Sequence, residues 1–188
     1  AHWNHPRTIA ATIHLLEKAG ARRIRVLEGA YAWPDTLAEF MYAAGWDPNV
    51  MLNAARQVDL VNTNMPYPGG KPYTRFPVPG GGLLFPSYDL STAYAECDVL
   101  VSMNKMKEHA TAGVTGAVKN FFGNTPSSIY GDDGPGEHAL KHRAAMFHGG
   151  RGAPPAGVPG EVAHGLPPKG TIRVPRITAD IFGARPAD

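Results

Sequence analysis

Residues 5–29 read "HPRTIAATIHLLEKAGARRIRVLEG", and this stretch decides the fold. Pro6 suits the first turn of a helix, where its missing N–H would lack an intrahelical partner anyway. Ile9, Ile13 and Leu16 recur at helical spacing, with Ala10 and Thr12 beside them. Gly20 stands where a left-handed residue closes a helix. The period then changes. Ile24 and Val26 alternate with Arg23 and Arg25, the pattern of a strand near a sheet edge. Helix, short link, strand is the grammar of an α/β domain.

The same grammar continues outward. Residues 34–45 predict a helix capped by Asp35 and stopped by Gly45. Residues 47–56 predict another, with Asp47 as cap and Pro48 in the first position. "VDLVNTN" (58–64) is a second strand. Residues 65–87 are broken by Pro and Gly, and "TRFPV" (74–78) with "LLF" (83–85) can form a small hairpin, since internal Pro excludes a central strand. A short helix is expected over 90–96. "CDVLVSM" (97–103) reads as the best buried strand of the chain. Helices are expected over 115–122, 136–148 and 173–186. The expected fold is α/β, with a mainly parallel sheet, helices on both faces and Pro/Gly-rich insertions. The run opens and closes on a helix, so flanking strands are expected outside it or from elsewhere. Residues 1–188 then form a single domain, or a fragment of a larger one.

Composition narrows the function classes. Gly and Pro number 22 and 18 of 188 residues, about a fifth, against a usual share of about 12%. Seven Gly and five Pro fall in residues 149–170, which predicts an arm or a lid. A net charge of +2 with eight neutral His is too small for a nucleic-acid binder, and the cations form no block. A local anion site remains open. Cys97 is the single cysteine. It excludes a disulfide framework and any iron–sulfur cluster built from this chain's own cysteines. No apolar run is long enough to span a membrane. The reading is a soluble protein, cytoplasmic or exported after removal of a leader, because Ala1 stands where an initiator Met would.

Residues 105–126, "KMKEHATAGVTGAVKNFFGNTP", follow the run 97–103. Ligands of open α/β sheets bind beyond the carboxyl ends of strands. Lys105, Lys107 and His109 alternate, so an extended exit would place all three on one side. Gly113 and Gly116 flank Thr115 and allow backbone to approach a ligand closely. A helix starting here offers free N–H groups to an anion. Lys119 lies four residues after Thr115, one turn along the same face. Such crowding of cations depresses Lys or His pKa values, which suits general acid/base or Schiff-base chemistry. It equally suits a phosphate or carboxylate cradle. The glycine and lysine spacing is not that of a P-loop. A solvated basic loop capping a helix is the plain alternative.

This segment resembles the signature of the Domain of Unknown Function 362 family. The matching residues are Lys105, Lys107, His109, Gly113, Thr115, Lys119, Asn120 and Gly123. Residues 5–29 resemble that family's His-Pro helix and the strand after it. The resemblance implies a family whose members often carry ferredoxin-type clusters and whose reaction is mostly undefined. The cluster-binding cysteines are missing here, as are the family's first strand and last strands. A more local similarity is to nickel-pincer lactate racemases, in which a His and a Lys ten residues later flank a Gly-rich turn, as His109 and Lys119 do. In that family the Lys anchors the cofactor and the His moves a proton.

Other residues can carry chemistry. His138 and His142 are four apart on an expected helix and can face one divalent metal. Glu28 ends the first strand at the edge where the motif belongs, and can balance the lysines or bind a metal. Asn62, Asn64 and Asn104 read as turn formers. The functional expectation is an enzyme or enzyme domain that binds a small anionic substrate or cofactor. His109, Lys119 and Lys107 are its catalytic core. Lys105, Thr115, Asn120, Gly113 and Gly116 bind substrate. One alternative is a non-catalytic ligand- or metal-binding domain serving a redox partner. Another is an assembly protein, a homo-oligomer that uses the 149–170 arm and the aromatics Tyr31, Trp33 and Trp46.

Overall fold

The structure is a computed structural model that describes residues 4–29, 36–64, 73–130, 156–162, 166 and 169–185. The expected helix at 136–148, with His138 and His142, lies outside them, as do Tyr31, Trp33 and most of the 149–170 arm.

The opening stretch forms as its pattern dictates. Helix α1 (Pro6–Lys18) is capped by His5, whose side chain accepts from the Arg7 N–H, and Pro6 occupies its first turn. Gly20 follows with φ +103, a conformation that costs glycine little. Strand β1 (Ile24–Glu28) pairs in parallel with β2 (Val58–Asn62), from Ile24 opposite Val58 to Glu28 opposite Asn62. The arginines that alternate with the apolar residues find carboxylates. Arg23 pairs with Asp59 at 2.6 Å and Arg25 with Glu96 at 2.7 Å. Helices α2 (Leu37–Ala43) and α3 (Asn49–Leu52) complete this unit. Ile13, Ile24, Leu37, Met41 and Met51 form its core.

The second core is larger. Strands β3 (Tyr73–Pro77) and β4 (Ser87–Ser91) form an antiparallel hairpin. Helix α6 (Gly170–Ala184) and the short helix α5 (Ser127–Tyr130) contribute Val174, Ile177, Ile181, Ile129 and Tyr130 to a cluster with Phe76, Leu84, Phe85, Tyr88 and Phe121. Residues 156–162 of the arm are held by their own chain. Val162 N–H donates to Leu84 O at 2.9 Å, Arg75 Nη2 to Gly157 O at 2.5 Å, and Glu161 pairs with the buried Arg173.

The class is mixed α/β, but the sheet expectation is met only in part. Among the described residues there are three two-stranded sheets, one parallel and two antiparallel. Residues 97–103 form no strand. The run belongs to no ladder. Leu100 packs on the larger core while Val99 and Val101 are 62% and 44% exposed. The apolar run misleads because no β-ladder among the described residues includes it. The partner of β3 is "SYDLS" rather than "LLF". Its last two residues, Leu90 and Ser91, read as the start of a helix, yet all five residues are buried in the strand. Asp89 satisfies its charge across the hairpin, on Arg75 at 2.8 and 3.0 Å. The expected helix over 90–96 shrinks to a 3₁₀ turn at Thr92–Tyr94. Helix α2 is capped by Thr36 in a reciprocal box with Glu39, not by Asp35. No helix among the described residues is long and apolar enough to cross a membrane.

Candidate functional site

The basic motif folds into a compact knot. Strands β5 (Lys107–His109) and β6 (Gly113–Thr115) form a tight antiparallel hairpin with Lys107 opposite Thr115. Gly113 takes φ +75 at its turn, where a side chain would be strained. A short helix α4 (Ala117–Asn120) and a 3₁₀ turn (Phe121–Asn124) follow. The expected helix over 115–122 is thus broken. Thr115 meets Lys107 by strand register and not by helical spacing. Gly116 is ordinary extended backbone, with φ −140 and ψ −175.

The knot brings Lys107, Lys119 and Thr115 together. Burial, and then the charge of Lys107, push the Lys119 ammonium down to about 8. It lies 4.2 Å over the Phe122 ring, and no carboxylate among the described residues pairs with it at ion-pair distance. A half-buried ammonium beside a second one is unfavourable by itself, and an anion between them would relieve it. The Thr115 hydroxyl is buried with no hydrogen-bond partner among the described residues. His109 and Lys107 are both half-buried while Glu108 between them is exposed, so the alternation expected for these two holds. His109 Nδ1 accepts from the amides of Thr111 (3.2 Å) and Ala112 (3.3 Å). This pattern leaves Nε2 as the protonated nitrogen of the neutral ring.

Two expected members stand apart. Lys105 is exposed and lines another cleft of about 550 Å³, with His5, Trp46 and Asp47. The side-chain amide of Asn120 donates to Met103 O at 3.1 Å and Ser102 Oγ at 3.4 Å. Ser102 Oγ donates in turn to Ala117 O at 2.9 Å. Asn120 therefore ties the end of the 97–103 run to α4 and positions Lys119.

The carboxyl ends of β1 and β2 adjoin the knot. A Cβ on Gly29 would lie 2.6 Å from Gly123 O, so glycine is required for this approach. Glu28 is exposed at the strand end. Surrounding protein raises its carboxyl pKa while the Gly29 N–H opposes the rise, and the solvent that reaches the residue limits it. Beside it the Tyr94 phenol is pushed above its ordinary range by burial first and by the Glu28 charge second. Asn62, Thr63 and Asn64, at the end of β2, are 6%, 1% and 2% exposed. Among the described residues no group of three or more His, Cys, Asp or Glu side chains is placed to hold a metal.

Gly29, Thr63 and Tyr94 carry this geometry, and sequence reasoning missed them. The available signal was a glycine and polar residues directly after two parallel-strand patterns.

A family model described as a domain of unknown function (DUF362) matches residues 1–153. The chain belongs to the DUF362 family. Comparisons with curated proteins and with solved structures gave no match. The matched DUF362 region contains the whole β5–β6 knot and the strand ends it packs against.

Proposed function

We propose that this DUF362 domain binds a small oxyanion, of phosphate or carboxylate type, as substrate or cofactor, between Lys107 and Lys119. The observation that carries this reading is the depressed, half-buried Lys119 ammonium, which lacks a carboxylate among the described residues and is crowded by Lys107. The buried Thr115 hydroxyl supplies a donor on the same hairpin. Lys119, pulled toward neutrality, can hold the anion when protonated or attack a carbonyl when not. His109, held by two backbone amides, can transfer a proton through Nε2. An enzyme or enzyme domain is therefore the function this arrangement supports best.

Calorimetric titration with sulfate, whose charge is fixed near neutral pH, tests the binding step. One site per chain is expected, weakened about tenfold or more by Lys119→Met and by Lys107→Met, the scale of a charge-assisted hydrogen bond of about 1.5–3 kcal/mol. Equal affinity in wild type and both variants, with folding intact by circular dichroism, contradicts the reading.

A further inference from the structure

The cleft that takes in Lys105 has a volume of about 550 Å³, inside the range of about 300–1,000 Å³ common for small-ligand sites. Three stretches distant in sequence line it. His5 and Arg7 come from the start of α1, Trp46, Asp47 and Val50 from the link into α3 and its first turn, and Lys105 from the chain ahead of β5. Two cations thus stand around one carboxylate and one indole. Arg7 pairs with no carboxylate among the described residues at ion-pair distance. The indole is held by the fold. Trp46 is half-buried against the core of the parallel unit. Its backbone N–H donates to Met41 O at 2.8 Å, just after Gly45 turns the chain at φ +79. His5 is fixed as well. Its Nδ1 accepts from the Arg7 N–H at 3.2 Å, which leaves Nε2 as the protonated nitrogen of the neutral ring. Asp47 Oδ1 accepts from the Asn49 N–H at 2.9 Å, and its second oxygen adds an acceptor.

We propose that this cleft binds an anionic ligand with a flat aromatic ring, of the size of a nucleoside monophosphate. The ring stacks on Trp46 and the acidic group meets Arg7 and Lys105. Both cations are exposed, so a bare anion gains little from them in water. Stacking on the anchored indole supplies the rest of the affinity, and it tolerates any flat ring. His5 and Asp47 offer one donor and one acceptor to the polar edges of the ligand. The lining shares no residue with the cradle of Lys107, Thr115 and Lys119. The inference therefore does not rest on the anion reading.

The test is calorimetric titration of the full chain carrying Lys119→Met, in which the lysine cradle is disabled, with AMP, adenosine and ribose 5-phosphate as probes. One AMP per chain is expected, with adenosine (ring without phosphate) and ribose 5-phosphate (phosphate without ring) each about tenfold weaker or more. On the same background Trp46→Leu weakens AMP about tenfold or more, the scale of base stacking on an aromatic side chain. Arg7→Gln and Lys105→Gln each weaken it several-fold. In the otherwise unaltered chain these two variants leave sulfate binding unchanged, so the two sites fail separately. Arg7 and Lys105 are exposed, and their variants decide the matter if Trp46→Leu does not fold. Absence of AMP binding overturns the proposal. So does AMP binding no tighter than ribose 5-phosphate, and so does AMP affinity unchanged in both Arg7→Gln and Lys105→Gln.

Discussion

Gly29→Ala is the perturbation that probes most sharply how the strand ends and the lysine knot are joined. The added methyl would stand 2.6 Å from Gly123 O, about 0.8 Å inside ordinary contact. The obstacle is a backbone oxygen, which cannot rotate away as a side chain can. Either β1 or the turn at Phe121–Asn124 must shift. Overpacking of this kind costs about 1–3 kcal/mol. Reduced freedom of the unfolded chain returns about 0.4–1 kcal/mol, which leaves a net loss of about 1–2 kcal/mol. Gly123→Ala is the matched control, because a Cβ there meets nothing within 4 Å. Urea denaturation should show a lower midpoint for Gly29→Ala and an unchanged or higher one for Gly123→Ala, with equal slopes. The shifted turn carries Phe122, over which Lys119 lies, so Gly29→Ala should also weaken sulfate binding. If Gly29→Ala matches wild type in both stability and sulfate affinity, the close approach of strand end and knot is refuted.

Lys119 is held down to about 8 by burial and by Lys107, and only its charged form attracts an anion. Sulfate affinity should therefore be flat below pH 8 and fall above it, by up to about tenfold per pH unit. The Lys119→Met variant should lack this dependence in calorimetry between pH 7 and 9.5. The stability sign runs the other way. Below pH 8 the folded state carries the cost of charging Lys119, and that cost is relieved as pH rises from about 8 toward 10.5. Asp180→Ala strips a buried carboxylate that accepts from the amides of Leu83 (2.5 Å), Leu84 (2.8 Å) and Phe85 (3.2 Å), and from the Tyr88 hydroxyl (3.2 Å). The amides left without this acceptor make a loss of about 3 kcal/mol or more the expectation in thermal or urea unfolding. A loss under about 1 kcal/mol would mean that water replaces the carboxylate.

Much of the parallel unit was legible in the sequence, because its signals are local. Pro6, the apolar spacing of α1, Gly20 and the alternation of β1 all act within a few residues, and the parallel partner β2 has the same apolar character. Residues 97–103 show the limit. An apolar run predicts a strand, but a strand needs a partner, and pairing is not written in the run itself. β4 fails for the opposite reason, since a polar segment becomes core once Arg75 answers Asp89 across the hairpin. In the basic motif, residue type, spacing and the family signature singled out Lys107, His109, Thr115 and Lys119, and the fold brings Thr115 to Lys107 by strand register rather than by the helical spacing expected. Lys105 was grouped with them by alternation and by the family signature, and it lines a cleft with His5 and Trp46 instead. Asn120, expected to bind substrate, donates its side-chain amide to Met103 O and Ser102 Oγ. Gly29, Thr63 and Tyr94 stayed hidden because their roles depend on contacts across the fold. Gly123 is part of the motif, yet the close approach to its carbonyl constrains the residue on the other side.

A cradle of Lys107, Lys119 and Thr115 should hold one oxyanion. Anomalous diffraction from crystals grown with selenate locates such an ion directly. A selenium peak is expected within hydrogen-bonding reach of Lys119 Nζ and Thr115 Oγ1, on the side that Lys107 faces. Selenium found only elsewhere, for example in the cleft of His5 and Lys105, with Lys119 open to solvent in the crystal, would contradict it.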